Sequence, residues 1–460
     1  MTSVKAILAL VASVVVTVTL GLLVAGGVRT VCDTGEGSGP CPPPLVGPDG
    51  TAVKDKYFYV HQPLRGNGSI TARVSDMTGE MRMPDAQPGV RTMRQGAVPW
   101  AKAGLLIRQS LTRGTPYAAV MITGSHGVRM QHDYTHDVAG GPVSGPLWLR
   151  LTRAGDTLTG YSSTDGSTWT QVSTAKLGGL PETVEIGMFA TSPGNLWDSA
   201  QAFAQATATF DQVKLEGANG SWRHDDVGVQ MEQDGKTPHH PGGVVESGGR
   251  FVVTGVGDIG PATLDGGIRA DLMLVGGGLG LILVLVAAVT FHRRQGPGRL
   301  ATQAAVVGAA AFVTGLVTAG IAVPVGLALL RAHQNPVQPI TLATELRVIV
   351  GFAALTALSA LLALGIAALV KRAFLAIVLA VALVVVPYLL GTAGLAPWLL
   401  TFTPAAGFAI TQSVPGYAHV DVGPALIGGY YPLSPWAGLA VTLGYAVLAL
   451  GAALRLDRRA

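Results

Sequence analysis

The densest group of potential metal ligands in this sequence is a short polar stretch with two histidines and two aspartates. These residues are His132, Asp133, His136 and Asp137, all within residues 132–137. Imidazole and carboxylate groups are common ligands of zinc, so the stretch is a weak candidate for a metal site. The alternative is a polar loop at the end of a strand, because ligands so close in sequence rarely converge in tetrahedral geometry.

Other patterns that support catalysis or cofactor binding are missing or lack their context. No strand carries the E-x-D-x-x-E spacing that would supply the paired carboxylates of a glycosidase. The sequence has no G-x-x-x-x-G-K-[S/T] phosphate loop, so this chain does not hydrolyse ATP by that route. Gly255, Gly257 and Gly260 match G-x-G-x-x-G, but Pro261 follows and no βαβ unit surrounds them. We therefore expect no catalytic residues and no cofactor on this chain.

Six apolar runs frame the polar part of the chain. They cover residues 6–28, 272–291, 304–330, 348–370, 373–390 and 437–454. A helix needs about 20 apolar residues to cross a bilayer, so these runs predict a membrane protein with six transmembrane helices, the first in domain 1–28 and the others in domain 271–460. The first run is longer than a usual signal-peptide core, which favours an uncleaved span over a cleaved signal. In the second run, Gly276 and Gly280 have the G-x-x-x-G spacing that permits close helix packing.

Basic residues near the ends of the runs predict the orientation. With both termini in the cytoplasm, nine lie inside and two, Arg331 and Arg347, lie in short outer loops. The inner nine are Lys5, Arg293, Arg294, Arg299, Lys371, Arg372, Arg455, Arg458 and Arg459. Residues 29–271 are then extracellular, and they contain 20 basic and 24 acidic residues. The basic excess of the chain thus reflects its topology, and we expect this chain to contact lipid rather than nucleic acid.

The excess of Arg over Lys and the heavy use of Ala, Gly and Val are typical of GC-rich bacteria. The composition therefore predicts the bacterial plasma membrane as the location.

The polar region has the pattern of short strands separated by turns. Residues 57–217 contain about nine such strands and no convincing helix, which predicts an antiparallel β-sandwich. Residues 29–56 and 218–270 have the composition of linkers, the second with some β structure. Cys32 and Cys41 lie in the first linker, where an oxidising exterior favours a disulfide over two unpaired thiols.

The strands carry motifs of a known fold family. The motifs are PWAKAGLLIR at 99–108, WLRLTR at 148–153, YSSTDGSTW at 161–169, EIGMF at 185–189 and ATFDQV at 208–213. Together they resemble the concanavalin A-like, laminin-G-like β-sandwich family of unknown function. The resemblance implies a jelly-roll fold but little about chemistry. Trp100, Trp148, Trp169 and Trp197 can pack in the core or stack on sugars, and core packing is the default.

The apolar part resembles a second family. An outer segment at 395–415 is apolar but too short to span, which predicts a re-entrant or interfacial helix. The runs AAVVG at 304–308, AVPVG at 322–326, TELRV at 344–348, TPAAGFAI at 403–410 and GYYPLSPWAG at 429–438 resemble permease subunits of actinobacterial type-2 ABC exporters. The expected fold is therefore an α+β membrane protein: a six-helix transmembrane bundle with a large extracellular antiparallel β-sandwich inserted between helices 1 and 2.

The resemblance implies the partners and the site. An ABC ATPase subunit would bind ATP, and a second permease, identical or related, would complete the pathway. Candidate ATPase-facing residues are Arg293, Arg294, Arg299, Lys371 and Arg372. The cytoplasmic segment after the second helix is shorter than in such permeases. An alternative is therefore a membrane-anchored extracellular module that binds glycans or proteins without transport. A cell-surface glycosidase is disfavoured by the missing carboxylate pair.

Overall fold

The computed structural model describes residues 2–33, 38–84, 92–197, 200–231, 238–239, 242–262, 266–295, 299–420 and 430–457. It consists of an antiparallel β-sandwich and a bundle of apolar helices. The strands follow the first helix along the chain and precede the other helices.

One layer of the sandwich is a seven-stranded antiparallel sheet. In spatial order its strands are β10 (His136–Ala139), β9 (Val128–His132), β8 (Tyr117–Thr123), β7 (Lys102–Arg108), β14 (Thr183–Thr191), β4 (Tyr57–Arg65) and β18 (Arg223–Val227). Side chains alternate between its faces. Phe58 and Val60 of β4 enter the core between the sheets, whereas Tyr57 and Tyr59 lie on the opposite face.

The second layer is an eight-stranded antiparallel sheet. Its path runs β13 (Thr170–Lys176), β12 (Thr157–Ser163), β11 (Leu147–Ala154), β5 (Gly68–Met83), β17 (Ala204–Glu216), β22 (Arg250–Gly255) and β21 (Gly243–Ser247), and β6 (Thr92–Gln95) pairs with β5. Leu149 and Phe210 of this sheet meet Leu105 and Met188 of the other in one buried apolar core. Burial of this core is the main stabilising contribution to such a sandwich.

Four short ribbons complete the β structure of the described residues. They pair β1 (Val31–Asp33) with β2 (Ser38–Pro40), β3 (Val53–Asp55) with β23 (Ile259–Pro261), β15 (Asn195–Trp197) with β16 (Ala200–Ala202), and β19 (Gln230–Met231) with β20 (Pro238–His239). A disulfide joins Cys32 to Cys41 beside the β1–β2 ribbon, with the Cα atoms 4.9 Å apart. Residues 218–270, expected to be a linker with some β structure, supply β18, β21 and β22 to the two main sheets. β18 and β21 are short, polar edge strands, so their apolar pattern is weak.

The helices are α1 (Thr2–Gly27), α2 (Gly277–Gln295), α3 (Leu300–Ala332), α4 (Leu342–Leu369), α5 (Ala373–Thr392), α6 (Leu399–Phe402) and α7 (Pro435–Asp457), with 3₁₀ helices at Ala270–Leu274 and Pro404–Thr411. Within the described residues, six of these helices are long and apolar enough to cross a membrane. Gly280 lets α2 approach α1 closely, since a Cβ there would lie 2.2 Å from Thr17 Oγ1 and 3.0 Å from Ser13 Oγ. This contact makes α1 and α2 antiparallel neighbours.

Candidate functional site

The outer face of the seven-stranded sheet is covered by the chain itself. Tyr57, Tyr59, Tyr117 and Phe189 lie on this face and are fully buried. The β3–β23 ribbon packs over them through Val53 and Ile259. A ligand therefore has no access to these four rings without displacement of the ribbon.

A buried ion pair fastens this cover. Arg108 Nη2 lies 3.0 Å from Asp55 Oδ2, and both side chains are completely buried. Tyr134 donates a hydrogen bond of 2.8 Å to the same carboxylate, and the Gly114 amide donates another of 2.9 Å. Burial opposes the charge of the guanidinium, but Tyr57 and Asp55 beside it raise the pKa of Arg108 overall. A buried charge pair needs such supporting hydrogen bonds to offset its desolvation.

A second buried pair lies where the sandwich meets the helical part of the chain. Lys102 Nζ lies 2.7 Å from Asp258 Oδ1 and donates a bond of 2.6 Å to the Ile259 carbonyl. Burial raises the pKa of Asp258, but the charges of Lys102 and Lys54 and the hydrogen bonds from Lys102 and the Ile259 amide together outweigh it, so the net shift is downward. His419, which follows the Pro404–Thr411 helix, reaches this place and its Nε2 lies 3.2 Å from the Tyr134 carbonyl oxygen. Burial, followed by the positive charge of Lys102, lowers the pKa of His419.

The entry to and exit from the sandwich are tied to the loop between α3 and α4. The Thr30 amide donates to Asn335 Oδ1 at 2.8 Å, and Arg29 Nη1 lies 2.9 Å from His333 Nδ1. Ile268 forms an isolated parallel bridge with Val337. The sandwich is thus attached to the bundle at both of its chain ends as well as through His419.

The most unusual part of the bundle is a non-continuous helical segment between α5 and α7. It comprises α6 and the Pro404–Thr411 helix, and we refer to residues 399–411 as the inserted segment. All eight residues of the 3₁₀ helix are buried. Gly407 lies against Leu355, near the middle of α4, since a Cβ there would be 2.6 Å from Leu355 Cδ1. Phe408 stacks on Tyr388 of α5 with ring centroids 3.8 Å apart. The segment therefore reaches well into the bundle.

Side chains from two helices satisfy the carbonyl groups of the inserted segment. Thr442 Oγ1 of α7 donates to the Pro404 carbonyl at 2.7 Å. Arg347 of α4 donates to the carbonyls of Ile410 at 2.9 Å and Gln412 at 2.6 Å. The last carbonyls of a helix have no partner within it, and a cation at that end also interacts favourably with the helix dipole. Arg347 thus fixes the end of the segment that leads to the sandwich.

The chain between the inserted segment and His419 has one further anchor. Ser413 Oγ donates a bond of 2.5 Å to Asp271 Oδ1, and Arg269 pairs with the same carboxylate at 3.2 Å. Arg269 and Asp271 lie at the junction where the sandwich ends and α2 begins. Residues 412–420 consequently link the inserted segment to the Ala270–Leu274 helix through Ser413 and to the sandwich through His419.

The five residues predicted to face an ATPase lie at the opposite end of the bundle. Arg294, Arg299, Lys371 and Arg372 are exposed there. Arg293 differs, because it is half-buried and its guanidinium donates to the Val370 carbonyl at the C-terminus of α4. Sequence spacing did not reveal this bond, which joins residues 77 positions apart. We call this the basic end of the bundle.

The predicted metal ligands lie on the β9–β10 hairpin but do not converge. The rings of His132 and His136 stack with centroids 4.5 Å apart, Asp137 pairs with Arg129, and His136 Nε2 lies 3.3 Å from Asp49 Oδ2. Asp133 has a φ of 47° in the turn. No group of three or more His, Cys, Asp or Glu side chains in the described part of the chain can hold a metal ion. Gly255 and Gly260 lie in strands β22 and β23, a context unlike that of a dinucleotide fingerprint.

Three strands bring together a carboxylate–imidazole–carboxylate arrangement that no local sequence motif indicates. His61 Nδ1 lies 2.7 Å from Glu185 Oε2, and His61 Nε2 lies 2.8 Å from Asp225 Oδ2. His61 is fully buried and stacks on Tyr59, whereas Asp225 is about half exposed. Because both ring nitrogens already have carboxylate partners, the imidazole has no free nitrogen to offer a substrate.

A cavity of about 460 Å³ opens between the two sheets at the end formed by the loops 123–127 and 142–146. Ser75, Asp76 and Thr123 contribute its polar groups, and Met77 and Val143 contribute apolar ones. Two of these groups are used within the protein, since Ser75 Oγ donates to the Thr209 carbonyl and Thr123 Oγ1 to that of Gly127. Among the lining residues, Asp76 and Ser125 have exposed polar side chains.

These features define a protein that combines an antiparallel β-sandwich with a bundle of six long apolar helices. Residues 89–218 match the family model described as "Protein of unknown function (DUF1349)", so the chain contains a domain of this concanavalin-like β-sandwich family. The match includes none of the helices, and resemblance to an exporter permease remains a prediction.

The similarity of the chain to solved structures is low. A structure described as "The crystal structure of a functionally unknown protein from Saccharomyces cerevisiae" is 15% identical, with a TM-score of 0.22, over 35% of this chain and 74% of that chain. A TM-score this low does not define a shared overall fold. No curated protein matches the sequence.

Proposed function

We propose that this protein is a membrane-spanning permease subunit of an ABC-type exporter in a bacterial plasma membrane. It would move a substrate of unknown class with ATP hydrolysed by a separate subunit. The observation that carries the proposal is the inserted segment, whose Pro404–Thr411 helix is buried among the six long helices. Irregular backbone at membrane depth is tolerated where protein buries it or where it lines a pathway. A simple membrane anchor needs no such segment.

The distribution of charge supports the orientation. The exposed cations of the basic end lie opposite the sandwich, as expected if that end faces the cytoplasm. The Cys32–Cys41 disulfide lies between the first helix and the sandwich. A disulfide is stable in the oxidising exterior, and the sandwich would lie on that side of the membrane. In this orientation the inserted segment enters the bilayer from outside, between α5 and α7.

The contacts of residues 412–420 give the sandwich a place in this function. His419 contacts the sandwich, and Ser413 contacts Asp271 at the start of the second helical part. Movement of the sandwich would therefore be transmitted to the inserted segment through a short chain of direct contacts. We propose that the sandwich restrains the outer gate of the pathway.

The test is purification of the tagged full-length chain from its native cells, with a search for a copurifying P-loop ATPase by mass spectrometry. We expect a stable complex, which Lys371→Glu with Arg372→Glu disrupts by reversing the charge of the basic end. Arg331→Glu, at the sandwich end, is the matched control and leaves the complex intact. A chain that purifies alone under conditions that preserve such complexes would contradict the proposal.

A second candidate is a membrane-anchored extracellular module that binds glycans or proteins without transport. One observation favours it: α2 ends at Gln295 and α3 begins at Leu300, which leaves only four residues for contact with an ATPase. Arg293 is also engaged by the Val370 carbonyl. This candidate predicts that no ATPase copurifies with the chain and that the charge reversal at Lys371 and Arg372 leaves ligand binding by the sandwich unchanged.

A further inference from the structure

The outer face of the eight-stranded sheet carries aromatic side chains where alternation would place simple polar residues. Leu149 and Leu151 of β11 enter the core, so Trp148 and Arg150 point away from it. Arg150 lies opposite Thr71 of β5 and Tyr161 of β12. Trp148, Arg150 and Tyr161 are each half-buried rather than covered. This sheet face therefore presents rings and a cation to its surroundings.

Two cations on this face have no acidic partner. The Arg150 guanidinium lies 4.0 Å above the Trp169 ring, and its Nε donates to Thr71 Oγ1 at 3.1 Å. Lys214 of β17 lies opposite Thr71 in the same cross-strand row and is exposed. Among the described residues no carboxylate forms an ion pair with either cation. By contrast, Arg73 in the neighbouring row is neutralised by Asp211 at 2.7 Å.

The turn before β13 holds Trp169 in position. Asp165 accepts hydrogen bonds from the amides of Ser167 at 2.8 Å and Thr168 at 2.7 Å. These bonds, with those of the neighbouring hydroxyls, hold the pKa of the Asp165 carboxyl well below its usual range. Gly166, with a φ of 74°, lies directly against the Trp148 ring. The turn thus fixes Trp169 and supports Trp148 before any ligand arrives, which lowers the entropic cost of binding.

We propose that this face binds an acidic polysaccharide, a polymer of carboxylate-bearing sugar rings. We name the site the Arg150 platform and define it as Thr71, Trp148, Arg150, Tyr161, Trp169 and Lys214. Arg150 has free N–H groups that suit a carboxylate, and Lys214 supplies a second charge along the row. The half-buried rings offer apolar area to the C–H faces of the sugars.

The position of the platform favours a soluble polymer over a lipid surface. The contacts of the sandwich with His419 come from the side of the other sheet, through Tyr134 and Trp100. The Arg150 platform lies on the opposite side of the sandwich, with the whole core between them. A bilayer that surrounds the helices cannot reach it, whereas a flexible polymer in solution can. The proposal is independent of the permease function, since it concerns only the sandwich.

The test uses the full-length protein in nanodiscs of neutral lipid and sodium polygalacturonate as the probe, with dextran as the uncharged polymer. We expect saturable binding of polygalacturonate and at least about tenfold weaker binding of dextran, since two charge-assisted contacts would be missing. Arg150→Gln combined with Lys214→Gln should weaken polygalacturonate binding by about tenfold or more. Trp169→Ala should also weaken it, and Trp169→Phe should restore most of the affinity.

Arg65→Gln is the matched control, because Arg65 is an exposed arginine on the other sheet. It should leave the affinity unchanged, and melting curves should show every variant folded. Absence of polygalacturonate binding by the wild type would overturn the proposal. Equal binding of dextran would also overturn it, because binding would then not depend on charge. An equal loss of affinity in Arg65→Gln and in the Arg150→Gln, Lys214→Gln double variant would overturn it too, because binding would then not be located at the platform.

Discussion

Replacement of Arg347 tests whether the inserted segment is held as described. In Arg347→Met, the carbonyls of Ile410 and Gln412 lose donors that lie 2.9 and 2.6 Å away. A buried acceptor without a partner costs about 1–3 kcal/mol, so the two together cost about 2–6 kcal/mol. Methionine keeps most of the apolar stem, so little of this loss would come from packing.

The assay is thermal unfolding of the full-length protein in nanodiscs. A unit the size of the helical bundle changes its Tm by about 2–4 °C per kcal/mol, so Arg347→Met should lower the Tm by roughly 5–20 °C. Arg347→Lys should fall between this variant and the wild type, because one ammonium group lacks the fork that reaches both carbonyls. Arg331→Met is the control, since Arg331 is exposed at the end of α3. Equal Tm values for Arg347→Met and Arg331→Met would refute the assigned role.

Three further predictions concern other contacts. Asp55→Asn leaves the buried guanidinium of Arg108 without its charged partner and should destabilise the sandwich by about 3–5 kcal/mol. Glu182→Gln, in the exposed pair with Arg65, is the control and should cost less than about 1 kcal/mol. Chemical denaturation of the full chain measures both. Burial lowers the pKa of His419, so as the pH falls the unfolded chain takes up a proton at this residue before the folded chain does. Stability should therefore fall as the pH drops below about 6.5. In measurements of Tm against pH, His419→Gln should reduce this dependence, whereas His224→Gln, an exposed control, should not. Gly280→Leu should separate α1 from α2 and lower the Tm, whereas Gly280→Ala should cost less, because the closest atom of α1 is a hydroxyl oxygen that can rotate away.

Local pattern was sufficient to predict most helices and strands. Long apolar runs predicted the six long helices. Short runs between turn signals predicted central strands such as β7 and β11, and apolar and polar residues alternate in β11. The Asp165-Gly166 pair is typical of a hairpin turn, and it lies in the β12–β13 connection with Gly166 at positive φ. These elements depend on neighbours close in sequence, which is why the sequence alone was informative.

The contacts that define the candidate sites depend on residues far apart in sequence. Asp55 and Arg108 are 53 positions apart, and Tyr134 and His419 are 285 apart. No periodicity signals such pairs, because each partner satisfies a charge or a carbonyl that another element leaves unpaired. The apolar composition of residues 395–415 predicts a re-entrant or interfacial helix, which stays a prediction, and the role of Arg347 follows only from where the inserted segment ends.

The outward tryptophans show the same limit. Alternation places Trp148 and Arg150 on one face of β11, but sequence does not show which face is covered. The structure shows that the covered face is that of the other sheet, where Tyr57 and Tyr117 are buried. Core packing was the default expectation for the tryptophans, and it describes Trp100, which is 5% exposed, better than Trp148 or Trp169.

The most direct test of the central claim is the location of the sandwich relative to the membrane. Ser144 lies on the sandwich and Arg372 at the basic end, and both are exposed. In the described part of the chain both cysteines are joined in a disulfide, so a single introduced cysteine gives a clean signal. A membrane-impermeant maleimide should label Ser144→Cys in intact cells and Arg372→Cys only after lysis. Labelling of Arg372→Cys in intact cells, with Ser144→Cys protected until lysis, would contradict the proposed topology and the exporter function that depends on it.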